Sequence, residues 1–215
     1  MPDAVDQLIE VGRKVVATGL VVGSGGNLSA RSPDGDACWI TGAGTWLDEL
    51  DRSAFSLVRI GDGAVLSGHP EPSTEVLLHL RSFQARPDAK VLIHLHPQLS
   101  VLLDAMGHRI RLVTTDHAFY VQEVRRVPWY RPGTEDLARA AAAVVADGCN
   151  CVILAHHGCS VLADSVELAH KRVLNLEEAA RATHAALLLG EEVPECPRPP
   201  QVWPAARASA PVSPS

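Results

Sequence analysis

Two histidines one residue apart, His94 and His96, close the apolar run 91–95 and stand directly before Pro97. In a strand, side chains two residues apart point to the same face, so both imidazoles can reach one ion. The pair alone equally suits two hydrogen-bonded residues at a strand end. A second apolar run, 151–155, ends in His156, His157 and Gly158. Either histidine can complete a three-nitrogen set, and three histidines with one open position are the arrangement of a catalytic zinc site. The glycine after them lets backbone approach a ligand closely. The five cysteines, at 38, 149, 151, 159 and 196, lack any comparable spacing and read as reduced, mostly buried thiols.

Glu75 adds a group able to move a proton. It follows Pro72, Ser73 and Thr74, a pattern that predicts a helix start in which a hydroxyl caps the free amides and the acid sits in the first turn. The same helix end suits a bound phosphate. The glycine- and hydroxyl-rich stretches GSGGNLS and TGAGT are either plain turns or further phosphate contacts. His79, one helical turn beyond Glu75, shares its face and either orients the carboxylate or packs in the core.

Several elements must position these residues. Val5, Leu8, Ile9, Val15 and Val16 recur at helical spacing and predict a first helix closing near Gly19. LSARSPDGDACWITG and FSLVRIGDGAVLSG each read as a hairpin about a turn rich in Asp and Gly. A helix from 72 to about Pro87, a strand through His94 and His96, a helix after Pro97, an alanine-rich helix over 133–148, a strand into His157 and a long helix over 165–190 complete the pattern. Strands and helices interleave, so residues 1–190 are expected to form one α/β domain. Residues 191–215 carry seven prolines and are expected to be a mobile tail or an arm on a neighbour. A formal net charge of -6 argues against nucleic acid or an anionic membrane surface as partner. With no apolar run near the roughly 20 residues that span a bilayer and no basic, apolar start, a cytoplasmic protein with a small-molecule partner is expected.

The segments GNLSAR (26–31), TG (41–42), PSTE (72–75), HLHP (94–97) and HHG (156–158), in this order, resemble the class II aldolase/adducin family, nearest to its L-fuculose-1-phosphate aldolase type. The resemblance implies a three-layer α/β/α sandwich around a largely antiparallel central sheet, assembled as a homotetramer with sites between subunits. It makes His94, His96 and His157 the ligands of a divalent metal, Zn2+ first, with Mn2+, Co2+ and Fe2+ as alternatives. Glu75 becomes the acid/base carboxylate, and Asn27, Thr41, Gly42, Ser73 and Thr74 hold the substrate phosphate, Thr74 keeping the hydroxyl of the commoner serine. Adducin-like members lack the metal ligands, so the intact histidines imply an enzyme. The implied reaction is retro-aldol cleavage of a small sugar phosphate through a metal-stabilised enediolate. Related decarboxylase, 4-epimerase and dehydratase reactions, on a sugar phosphate, a sugar-acid phosphate or an unphosphorylated acid of secondary metabolism, are the alternative, and a non-catalytic metal-binding module is a third reading. Residues 114–130 depart from the pattern: Thr114 or Thr115 stands where the fuculose aldolases carry an interfacial tyrosine. Asp116, His117, Tyr120 and Tyr130 are then the replacement acids, with Tyr120 and His117 preferred, against a reading of HAFY as a packed strand.

Overall fold

Alternation along the central strands decides the architecture. In β1 (Gly26–Arg31), β5 (Val91–Leu95) and β8 (Gly158–Ala163), Leu28, Ala30, Ile93, Leu95, Cys159 and Val161 join one apolar cluster. That cluster also takes in side chains of α1 (Ala4–Ala17), α3 (Gln98–Ala105) and α5 (Val166–Leu188). The intervening residues point the other way, where Leu92 and Leu162 pack with α2 (Val76–Ala85) and α4 (Glu135–Val145). A sheet that is apolar on both faces must be covered on both. Helices therefore flank it as two outer layers in the computed structural model, which describes residues 3–197.

Five more strands extend the sheet: β2 (Ala37–Thr41), β3 (Phe55–Arg59), β4 (Val65–Gly68), β6 (Val124–Val127) and β7 (Cys151–Leu154). The order is β4-β3-β2-β1-β5-β8-β7-β6, and every neighbouring pair is antiparallel except β6 with β7. This is the expected α/β/α sandwich with a largely antiparallel sheet. The two hairpins are β1–β2 and β3–β4, and the expected helices appear with local caps: Thr134 Oγ1 accepts from Leu137 N, and Ser165 Oγ from Leu168 N.

Two segments differ from expectation. The chain does not simply leave the sheet after His157; it reverses and runs back as β8. The turn is made by His156 at φ 55, a left-handed residue without the glycine or proline that marks a turn in sequence. HAFY is not a strand either: His117–Val121 form a single π-helical turn packed on α5. A short apolar run carries no period long enough to separate the two outcomes.

Cys38, Cys149, Cys151 and Cys159 are buried free thiols, and Cys196 is half-buried. The start of the proline-rich stretch lies back on the body, with Cys196 N donating to Leu112 O at 2.8 Å and Glu195 pairing with Arg109 at 3.3 Å. From residue 198 on, the stretch expected to be a tail is outside the described residues. Among the described residues no helix is long and apolar enough to cross a membrane.

Candidate active site

Strand register assembles the first half of the site. Asn27 on β1 stands opposite His94 on β5, and His94 opposite Ser160 on β8. One polar row therefore crosses three central strands on the face toward α2. His94 is fully buried, with Nδ1 3.3 Å from Ser160 Oγ. Its Nε2 is left for the site, 3.0 Å from His96 Nε2 and 3.0 Å from Glu75 Oε2. His96 projects from just beyond the end of β5. His157 reaches in from the β7–β8 turn while His156 is exposed, which decides between the two. The rings of His94, His96 and His157 lie 4.8 to 5.0 Å apart, centroid to centroid. Gly158 makes this possible, since a Cβ there would sit 2.4 Å from Leu95 O and 2.7 Å from the His96 ring.

Glu75 arrives from the start of α2, though not in its first turn. It occupies the cap position and its side chain makes no capping bond. Ser73 Oγ instead accepts from Glu75 N at 3.2 Å, which shapes the turn and leaves the carboxylate free to point inward. Oε2 accepts from Asn27 Nδ2 at 3.2 Å, and Oε1 lies 3.3 Å from His157 Nε2. Burial pushes the Glu75 carboxyl up, but the close approach of His94 and His157 outweighs it and holds the group well below the usual carboxylate range. Burial, together with His94 and His157, pushes His96 down to about 4 against the pull of Glu75, which keeps its lone pair available near neutral pH.

Glu75, His94, His96 and His157 each offer a ligand atom, all within 4.8 Å of one another. Three imidazole nitrogens and a carboxylate oxygen suit a divalent ion of the zinc type. One further fact fits such an ion: Glu75 Oε1 is buried with no hydrogen bond satisfying it beyond the 3.3 Å approach of His157 Nε2. Buried polar atoms in that state call for an explanation, and a cation at the cluster supplies one for the carboxylate oxygen.

The residues expected to hold phosphate are also gathered. Gly42 bridges to Pro72, and Ser73 N donates to Thr41 O at 3.0 Å. Thr41 Oγ1 accepts from Leu28 N at 3.2 Å; there and at Ser73 the hydroxyl hydrogen is still available to a ligand. Thr74 is exposed beside them. Asn27 is more committed, with Nδ2 on Glu75 and Oδ1 on His79 Nε2, leaving one amide hydrogen for a substrate. Ser29 and Ser160 belong to this site as well and were not singled out in the sequence; their only signal was a small polar residue at a buried strand position.

His117 and Tyr120 have no contact with the cluster within one chain. His117 is buried and its Nδ1 accepts from Thr114 N at 3.4 Å. The Tyr120 carbonyl accepts from Arg172 Nε at 3.1 Å, and Lys171 Nζ lies 5.8 Å from its ring. Both residues sit on the α5 side of the sheet, away from the face that carries His94.

The fold and site together define an α/β/α domain in which three histidines and one carboxylate, two of the four buried, form a cluster that could hold a metal ion beside a hydroxyl-lined cradle. Residues 6–184 match the model of the Class II Aldolase and Adducin N-terminal domain, and the chain belongs to that family. It is 34% identical over 181 residues to the 3-oxo-tetronate 4-phosphate decarboxylase of Escherichia coli strain K12, covering 82% of this chain and 84% of that protein. It is 32% identical over 183 residues to the L-fuculose phosphate aldolase of Methanocaldococcus jannaschii, covering 85% of this chain and 97% of that protein. A solved L-fuculose 1-phosphate aldolase superposes with a TM-score of 0.83 at 30% identity, covering 92% of each chain.

Proposed function

We propose that residues 1–190 form a metal-dependent lyase that cleaves or forms a C–C bond of a small sugar phosphate by retro-aldol chemistry. One observation carries this reading. The Glu75 carboxylate stands 3.0 to 3.3 Å from His94 and His157, on the chain segment that also supplies Ser73 and Thr74 to the cradle. His94, His96 and His157 would hold the ion, which when bound supplies the positive charge that lowers the free energy of negative charge developing on neighbouring substrate oxygens. The hydroxyls of Thr41, Ser73 and Thr74 and the spare Asn27 hydrogen bind the phosphate. In cleavage the electron pair of the broken bond stays with the phosphate-bearing fragment, and a proton then returns to that carbon. Glu75, buried and ionised at rest, takes the proton from that carbon in the condensing direction; in cleavage the carboxyl, loaded with a proton from solvent, returns it there while the hydroxyl proton of the aldehyde fragment is released.

Decarboxylation of a 3-oxo sugar-acid phosphate is the second reading, and a specific observation favours it. Aldol cleavage also needs a group to take the hydroxyl proton of the departing aldehyde, whereas loss of carbon dioxide does not. Thr114 or Thr115 stands where the tyrosine is expected, and Tyr120 and His117 lie on the α5 side; aldol cleavage then draws that group from Asp116, from Tyr130 or from a second copy of the chain. The E. coli decarboxylase likeness points the same way. The reading further takes the ion as Zn2+, with Mn2+, Co2+ or Fe2+ accepted by the same imidazoles. It takes the assembly as a cytoplasmic homotetramer, consistent with the buried free thiols.

Metal-loaded protein is incubated with dihydroxyacetone phosphate and an aldehyde panel, then separately with 3-oxo sugar-acid phosphates, and the products are weighed by mass spectrometry. A condensation product supports the aldolase, and loss of carbon dioxide supports the decarboxylase. Turnover of neither, with metal bound, favours a non-catalytic module. Inorganic phosphate should compete in either active case, and sedimentation should report four chains.

A further inference from the structure

A line of hydrogen bonds runs from Glu75 into the layer between the sheet and α2. Asn27 Nδ2 donates to Glu75 Oε2 at 3.2 Å, Asn27 Oδ1 meets His79 Nε2, and His79 Nδ1 lies 2.6 Å from Ser29 Oγ. Ser29 and His79 are fully buried, and Asn27 and Glu75 are 5% and 6% exposed. Two local rules interlock here. Asn27 and Ser29 are two apart on a strand and so share a face, while Glu75 and His79 are four apart at the start of α2 and so lie one above the other. Neither His79 nor Ser29 belongs to the metal cluster. Burying polar groups at 29 and 79 is unfavourable compared with an apolar pair of similar volume unless the hydrogen bonds serve something.

We infer that His79, held by Ser29, is a positioning residue that fixes the Asn27 amide in the one orientation that donates to Glu75, and so aims the carboxylate for proton transfer. The inference rests on the reading of Glu75 as the proton-transfer group.

An amide side chain has a donor end and an acceptor end, and nothing in its shape distinguishes them. Reversed, Asn27 would set its carbonyl oxygen against a carboxylate oxygen, two acceptors in contact. The far end therefore decides the matter. A neutral imidazole with its hydrogen on Nε2 donates to Asn27 Oδ1 and presents Nδ1 as an acceptor, which the Ser29 hydroxyl fills. The other tautomer would confront Oδ1 with a lone pair. Complete burial pushes the His79 ring down to about 3, so it stays neutral throughout. With Oε2 held in this way, the carboxylate is fixed against rotation about its last bond, and Oε1 keeps its place 3.3 Å from His157 Nε2.

The first test needs no substrate. In full-length protein labelled with 15N-histidine, with and without Zn2+, the His79 resonance, assigned by its loss in His79→Gln, should be that of the Nε2–H tautomer and unchanged across the neutral pH range. An Nδ1–H ring overturns the inference. In kinetics, His79→Leu should lower kcat by about 10- to 100-fold, because the Asn27 amide is no longer held in the orientation that donates to the charged Glu75, with metal content and KM near wild type. His79→Gln keeps an N–H near the Nε2 position and should recover most of that loss. Unaltered kcat in His79→Leu, or a His79→Gln enzyme equally slow at full metal content, overturns the inference. If no substrate is turned over at all, the reading of Glu75 fails while the tautomer measurement still decides the orientation of Asn27.

Discussion

On one face of β1, β5 and β8 stand Leu28, Ala30, Ile93, Leu95, Cys159 and Val161; on the other, from the same strands, stand Asn27, Ser29, His94 and Ser160. All ten are buried, so burial does not separate them. The apolar face is held by exclusion of water and by close packing, which act in every direction at once. The polar residues of the second face, set among Leu92 and Leu162, are held by pairwise, directional contacts, His94 with Ser160 across the register and Asn27 and Ser29 with Glu75 and His79 beside them. Removing a side chain from the first should cost stability and spare the chemistry. Removing one from the second should cost chemistry first.

The largest expected effect is on the polar face: His94→Ala should lose bound metal and activity together, by metal analysis and turnover. Stoichiometric metal in that variant would break the contrast. Next, Glu75→Gln should keep near-normal metal content while turnover falls about 10²- to 10⁴-fold, as for a lost general base; full activity would remove Glu75 from the mechanism. On the apolar face, Ile93→Ala, one residue from His94, should lower unfolding free energy by about 2–5 kcal/mol in denaturant titration, with metal per folded chain unchanged. Loss of metal at that position would mean that the two faces are not separable. Ser160→Ala removes the partner of His94 Nδ1 and should weaken metal affinity by about 10-fold, read by chelator competition. The smallest effect concerns thiols. Burial pushes Cys38 and Cys151 up to about 12 and Cys159 higher still, so few thiolates form there near pH 7 and reaction should speed up only as pH rises far above it. Half-buried Cys196 alone should react quickly with a thiol reagent, and unfolding should expose all five.

Much of this arrangement was legible in the sequence, because alternation along a strand and the spacing of a helix are local properties. The helices, the two hairpins, the sandwich and the three histidines with Glu75 follow from them and from five short motifs in order. What was hidden depends on pairing. That Asn27, His94 and Ser160 form a row is a statement about register, which no single strand contains. That Asn27 donates to Glu75 depends on α2 lying over β1. Tyr120 and His117 stand out by residue type in a segment that departs from the family, and residue type does not say on which side of a sheet a turn will pack.

The row has a bearing on how correct folding can be recognised. A one-residue slip of β5 against its neighbours would turn Ile93 toward α2 and drive His94 into the opposite apolar layer. The slipped sheet would still be compact and rich in strand, so circular dichroism would pass it. It could not place three imidazoles around one ion. Stoichiometric metal uptake after refolding is therefore an assay of strand alignment through the centre of the molecule, sensitive to an error that spectroscopy of the backbone would miss.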